Sequence, residues 1–272
     1  MTISSGSSEA WRHELVPYFF GPSPQRLYAC HHFPVVESAA TKAVVICHAT
    51  GHEYERSHRC LRQLALQLAR AGHHVLRFDY RGTGDSAGEY ALYGPVDWKQ
   101  DIHIAIDECL RLSGRKPLCV IGLRLGATLA AQAVAERKDV ESLVLYAPIA
   151  EGKSLFGEWK RDQVEYERKI NRAARHGTAD ELLGFSLTHP FRSALNTLAL
   201  PESFPGLRRA LILAEHHRGK GVRRMVQALA GDGMHVSVEP ADAPAIWRQE
   251  PLKANVPFKL LRRIVAWMQE EE

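Results

Sequence analysis

Val120-Ile121-Gly122-Leu123-Arg124-Leu125-Gly126-Ala127 joins an apolar run, Leu118–Gly122, directly to an alanine-rich segment from about Leu125 to Glu136. A strand that runs through Gly-x-X-x-Gly into a helix is the frame of a nucleophile elbow. The two glycines let strand and helix approach closely around one strained central residue. Its side chain then stands above the sheet, beside a helix N-terminus. Elbows that form covalent intermediates carry Ser, or sometimes Asp or Cys, at the centre. Here the centre is Arg124, whose guanidinium stays protonated and offers no nucleophilic lone pair. An acyl-enzyme route through this position is closed.

Outward from the elbow, apolar runs alternate with helical patterns, the signal for βαβ units and a parallel sheet. Val16–Phe20 and Leu27–Phe33, separated by Gly21-Pro22-Ser23-Pro24, read as a hairpin. Strands are expected at Ala43–Cys47, His74–Tyr80, Leu118–Gly122, Ser142–Pro148, Arg209–Ala214 and His235–Glu239. Helices are expected near Ser57–Ala71, Asp97–Leu112, Leu125–Glu136, Gly221–Ala230 and Pro257–Glu270. Together they predict a mostly parallel eight-stranded sheet with helices on both faces. From about residue 151 to 205 the chain turns charged and helical, with Glu158–Arg175 the clearest helix. An interruption of about 55 residues inside a continuing sheet pattern reads as an inserted helical lid within one domain spanning 1–272.

A second dense cluster follows the third strand: His48-Ala49-Thr50-Gly51-His52-Glu53-Tyr54-Glu55-Arg56-Ser57-His58-Arg59. A loop here supplies half of an oxyanion hole, the other half being the N–H after the elbow residue, Leu125. His48, His52, Glu53 and Arg56 are expected at the same mouth as Arg124, with Gly51 allowing the tight turn and Ser57 capping the next helix. Thr50, Gly51, Arg56, Asp79, Leu125 and Trp247 are the candidates for substrate contact. The competing account is a capped loop whose charges solvate one another. Metal ligation by these histidines has no spacing behind it.

Gly84-Asp85-Ser86-Ala87-Gly88 matches Gly-x-Ser-x-Gly letter for letter. It lacks the abrupt strand-to-helix context, so Ser86 reads as a turn residue bonded to backbone. Triad partners are also wanting. Glu215, His216 and His217 stand after Arg209–Ala214, where the acid belongs. After the last expected strand the chain reads Ala241-Asp242-Ala243-Pro244-Ala245-Ile246-Trp247, with no histidine from there to the end. His235 precedes that strand, at the opposite edge of the sheet.

Composition narrows the classes. Net charge is +4, a mild excess that does not by itself argue for a nucleic-acid partner, so none is expected, and 45% hydrophobic residues allow a full core. Five cysteines, with Cys30, Cys47 and Cys119 inside apolar runs, fit core thiols in a reducing compartment, so a cytoplasmic location is expected. Met1–Ala10 reads as a flexible leader without signal-peptide character, and no run is long enough for a membrane span. The basic residues Arg208, Arg209, Arg218, Lys220, Arg223 and Arg224 read as a solvated face. No cofactor is called for, and a homodimer is compatible with the chain.

Phe78-Asp79-Tyr80-Arg81-Gly82-Thr83-Gly84-Asp85-Ser86 resembles the strand-four signature of the serine aminopeptidase-like (S33) branch of the α/β hydrolases. His52–Arg59 combined with Gly122–Ala127 is similar to a bacterial subgroup that includes the exosortase A system-associated hydrolases of type 2, which also carry Arg at the elbow. The resemblance covers residues 25 to 200 clearly and implies the α/β-hydrolase fold. It also implies acyl or carrier-bound substrates, through links of that subgroup to exopolysaccharide and specialised-metabolite pathways. The expected function is binding of, or action on, an acyl, ester or thioester substrate bearing an anionic group, without a serine nucleophile. Arg124 would hold the anion or oxyanion, and His48, His52, Glu53 or Glu215 would move protons. The alternatives are a noncatalytic ligand- or partner-binding pseudo-hydrolase, and hydrolysis by a water that His or Glu activates. For Arg124, a ligand anion is favoured over internal pairing with Glu215 or Asp79.

Overall fold

Alternate residues of the central strands serve two different cores. In the computed structural model Ala43, Val45 and Cys47 of β3 (Ala43–Cys47) pack into one apolar cluster, while Val44 and Ile46 pack into another. The same split occurs in β5 (Leu118–Leu123) and β9 (Arg209–Ala214). A strand buried on both faces reads as a continuous apolar run, which is how these segments stand out in the sequence. The structure describes residues 15–114, 117–169, 181–215, 219–230, 234–249 and 255–270. The expected leader, His216, His217, Arg218 and the end of the 158–175 helix lie outside them.

The remaining strands are β1 (Leu15–Phe20), β2 (Leu27–His32), β4 (His74–Phe78), β6 (Ser142–Tyr146) and β10 (His235–Pro240). All eight form one sheet in the order β1-β2-β4-β3-β5-β6-β9-β10. β1 with β2 and β2 with β4 run antiparallel, and every other pairing is parallel. One face is covered by α2 (Pro95–Ser113), α3 (Leu125–Ala135) and α6 (Lys220–Leu229). The other is covered by α1 (His52–Arg70) and α7 (Phe258–Gln269). This is the α/β-hydrolase fold that the alternation implied.

Between β6 and β9 the chain forms α4 (Gly152–Lys169), a two-stranded hairpin of β7 (Glu181–Leu182) and β8 (Phe185–Ser186), and α5 (His189–Asn196). β6 pairs directly with β9, so this excursion leaves the sheet register unbroken. Leu155, Trp159, Phe191 and Leu195 bury one side of it in the main core.

Three local expectations need correction. Helix α1 begins at His52 rather than near Ser57, because Gly51 turns the chain with φ 59° directly before it. Ser57 therefore caps nothing: it sits inside the helix, and its hydroxyl donates to the Glu53 carbonyl at 2.7 Å. Arg209 leaves the expected solvated basic face. It is buried 4.0 Å above the Trp267 ring and donates to the Trp267 and Glu270 carbonyls. No helix among the described residues is long and apolar enough to cross a membrane.

Candidate functional site

The turn at the end of β5 is built as tightly as its glycines suggest. A Cβ on Gly122 would lie 2.3 Å from the Ala127 Cα, and one on Gly126 would lie 2.1 Å from the His48 carbonyl oxygen. Between them Arg124 takes φ 56° and ψ −123°, a left-handed conformation that costs a residue with a side chain about 1–3 kcal/mol. Its amide donates to the Tyr146 carbonyl at 2.9 Å, and its own carbonyl receives the amides of Ala127 and Thr128. Leu125 opens α3, buried, immediately after it.

Arg124 is itself buried, at 4% exposure, and it turns to carboxylates other than Glu215 or Asp79. Its Nε reaches Glu53 Oε1 and Oε2 at 3.2 and 3.3 Å, and its Nη2 reaches Glu53 Oε1 at 3.1 Å. Nη2 also donates to Glu158 Oε2 of α4 at 2.6 Å. Trp159, next to Glu158, donates its indole N–H to Glu53 Oε1 at 3.1 Å. Arg248 donates to the same Glu158 oxygen at 3.2 Å, and Trp247 lies beneath the Arg124 guanidinium. Arg56 joins this assembly by donating to the Trp247 carbonyl at 3.4 Å.

The electrostatics follow from enclosure. Burial raises the Glu53 pKa, against the opposing pull of Arg124 and the Trp159 N–H. Burial disfavours the Arg124 charge, but the carboxylates of Glu53 and Glu158 outweigh that and leave its pKa raised. Removing either member of such a pair strands a buried charge.

His48 faces away from this cluster. Its Nδ1 bonds the Ala49 carbonyl and its Nε2 accepts the Tyr80 amide at 3.4 Å, which assigns the neutral Nδ1–H tautomer. Tyr54 and Tyr80 lie against the ring, tilted by 49° with centroids 4.4 and 4.3 Å away, and burial lowers its pKa. His52 is buried edge-on to Trp159, its Nε2 without a hydrogen-bond partner among the described residues. Burial, then the nearby Arg56 and Arg124, push its pKa down to about 3.

Asp79 holds a turn. It accepts from the Tyr54 hydroxyl at 2.9 Å and the Asp85 amide at 3.1 Å, and a Cβ on Gly84 would strike its carboxylate. Ser86 accepts the Tyr28 amide and donates to the Asp79 carbonyl, the backbone role its context suggested. Thr50 bonds the Tyr90 hydroxyl at 3.2 Å. Tyr90 continues through Phe185, Phe191 and Trp98 to Trp159, an aromatic mass that fills the space on one side of the elbow. On the other side a cavity of about 220 Å³ reaches Arg124, Glu158 and the exposed Glu215.

Arg124, Glu53, Arg56 and Trp247 thus share one cluster, while His48, Thr50 and Asp79 sit apart from it. Sequence reasoning missed Glu158, Trp159 and Arg248. A signal existed: Leu155 and Trp159 stand four apart in an otherwise charged helix, which marks a buried stripe.

The sequence profile of the serine aminopeptidase, S33, family matches residues 38–181. The chain belongs to that family of α/β hydrolases. It is 35% identical to protein ABHD12B of Homo sapiens over 109 residues, which take in 39% of this chain but only 29% of the human protein. Among solved structures, a hypothetical protein of Pseudomonas aeruginosa superposes with a TM-score of 0.63 at 17% identity, covering 100% of this chain and 99% of that one. Est1E of Butyrivibrio proteoclasticus, solved with ferulic acid bound, gives 0.62 at 18% identity, covering 93% and 97%. At such identities the structural likeness concerns the fold.

Proposed function

We propose that this protein is a ligand-binding member of the family that performs no serine-based acyl transfer. The observation behind this reading is the Arg124–Glu53 pair, in which a carboxylate from the first turn of α1 takes the guanidinium at the elbow. Two of its three nitrogens are occupied by carboxylates, which already balance the charge that a developing oxyanion would call on. Neither His48 nor His52 stands ready as a base beside it, because His48 is locked to backbone and His52 is packed against Trp159. What remains is the cavity between Arg124 and α6, a pocket for a small molecule of acyl type.

The test pairs a turnover panel of p-nitrophenyl esters and acyl thioesters with a thermal-shift screen of small acyl carboxylates and amides. The reading expects ligands that raise Tm and no turnover above that of an Arg124→Ala control. Turnover that depends on Arg124 overturns it. A second reading has one observation in its favour: Glu215 borders the same cavity at the end of β9, where the family places its acid. Hydrolysis that persists in Arg124→Ala but disappears in Glu215→Gln would establish that reading, a water activated by Glu215.

A further inference from the structure

The two carboxylates on Arg124 are held very differently. Glu53 is 1% exposed and accepts from Nε, Nη2 and the Trp159 indole. Glu158 is 21% exposed, and a single oxygen of its carboxylate accepts from both Arg124 and Arg248. Breaking the Arg124–Glu158 contact leaves Glu158 paired with Arg248 and leaves Arg124 paired with Glu53. It strands no charge. Nη1 of Arg124 makes no hydrogen bond among the described residues, and both Arg124 and Glu158 border the 220 Å³ cavity.

Resting on the binding reading above, we propose that the cavity is a site for a small monocarboxylate with an apolar tail, whose carboxylate replaces that of Glu158 on Arg124. The head group follows from charge and shape. One monoanion exchanged for another keeps the cluster's balance, and a planar carboxylate spans Nη1 and Nη2 as a fork. A dianion would place a second negative charge beside Glu53 and Glu215. The tail follows from the walls, where Ile149, Val222 and Met225 offer apolar surface. At about 220 Å³ the space is smaller than the ~300–1,000 Å³ of pockets for drug-sized ligands, which sets the tail at a few carbons.

Glu158 then acts as a latch. It holds Arg124 until a ligand carboxylate takes its place, while Arg248 keeps the displaced Glu158 and Trp159 keeps α4 on the core. An internal occupant lowers the apparent affinity by the fraction of molecules in which it is displaced.

Calorimetric titration of the full chain with hexanoate and with hexanamide tests this. Hexanoate is expected to bind and hexanamide to give no saturable heat. Glu158→Ala, at a partly exposed helical position, removes the competitor and is expected to tighten hexanoate by about tenfold or more. Absence of hexanoate binding in both proteins overturns the proposal, as does equal binding of the amide or unchanged affinity in Glu158→Ala. Fluorophosphonate labelling and ester turnover on the same preparations separate the two readings. Labelled or active protein that still binds hexanoate loses the noncatalytic reading and keeps the site. Silent probes with no hexanoate binding do the reverse.

Discussion

The guanidinium of Arg124 lies 4.8 Å from the centroid of the Trp247 ring, a cation on the face of an indole. Trp247 follows β10, in the loop where a hydrolase of this fold seats its triad histidine. No histidine occurs after His235 in this chain. The strand-to-helix turn after β5 thus meets the segment after β10 through an Arg-on-Trp contact. Such a contact contributes about 0.5–2 kcal/mol, depending on how dry it is. Trp247 is 1% exposed and also packs edge-on against Tyr146.

This enclosure sets the outcome of Arg124→Ser. The substitution leaves Glu53 buried with only the Trp159 N–H to hold its charge. Loss of one partner from a buried pair costs about 3–5 kcal/mol, so thermal melting should show a Tm roughly 6–20 °C lower. Adding Glu53→Gln should recover part of that loss. The serine variant should hydrolyse p-nitrophenyl esters no faster than its parent, because the sequence offers no histidine after β10 to activate it. An unchanged Tm would show that Glu53 and Arg124 do not depend on each other.

Fluorophosphonate probes should leave the protein unlabelled. Ser86, the serine in the Gly-x-Ser-x-Gly match, bonds the Tyr28 amide and the Asp79 carbonyl and is buried in its turn. Mass spectrometry that finds stoichiometric modification of Ser86 would mean this turn opens far more readily than its hydrogen bonds imply.

The fold was legible because its evidence is local. Strands such as Ala43–Cys47 are apolar at every position, and the Gly122–Gly126 frame needs only five residues to declare a strand meeting a helix. The site was legible only in part. Arg124 announced itself by departing from a pattern, and the His48–Arg56 stretch by its density of polar residues. Their partners did not, because Glu158 and Arg248 come from segments whose docking depends on long-range packing. Asp79 shows the converse. A carboxylate at a strand end suggested a ligand contact, yet Gly84 and Asp85 fold around it to make a turn.

Removing residues 155–200 with a short linker should leave a protein that unfolds cooperatively in urea, since β6 and β9 already pair from Ser142 with Arg209 to Tyr146 with Leu213. It should be less stable than the full chain, because Leu155, Trp159, Phe191 and Leu195 leave the core. Arg124 should then be open to solvent and Glu53 without its indole donor. Loss of a cooperative transition would mean that the excursion is part of the core and not a cover upon it.

Acid should destabilise the protein before the carboxylates that arginines hold low, such as Glu108 and Asp139, protonate. Burial holds His31 and His73 at about 4, and His32 and His52 at about 3, each below the ordinary value near 6.5. Positive neighbours add to this: Arg77 beside His32, Lys42 beside His73, and Arg56 and Arg124 beside His52, while Glu108 opposes it at His31. The sign follows from linkage. Above pH 6.5 these histidines are neutral in both states, and their contribution to stability is fully present. As pH falls below 6.5 the unfolded chain takes up protons that the folded chain refuses, and stability is lost progressively down to the folded values of 3 to 4. The urea midpoint should therefore fall steadily between pH 6.5 and 4.5, with its m-value unchanged. Carboxylates with lowered pKa, such as Glu108 and Asp139, add their own loss only below that window. His73→Gln can still accept the Lys42 amide that His73 Nδ1 accepts now, and it should flatten the slope by about one proton. A midpoint that stays level from pH 7.5 to 4.5 would mean that these rings reach water in the folded protein.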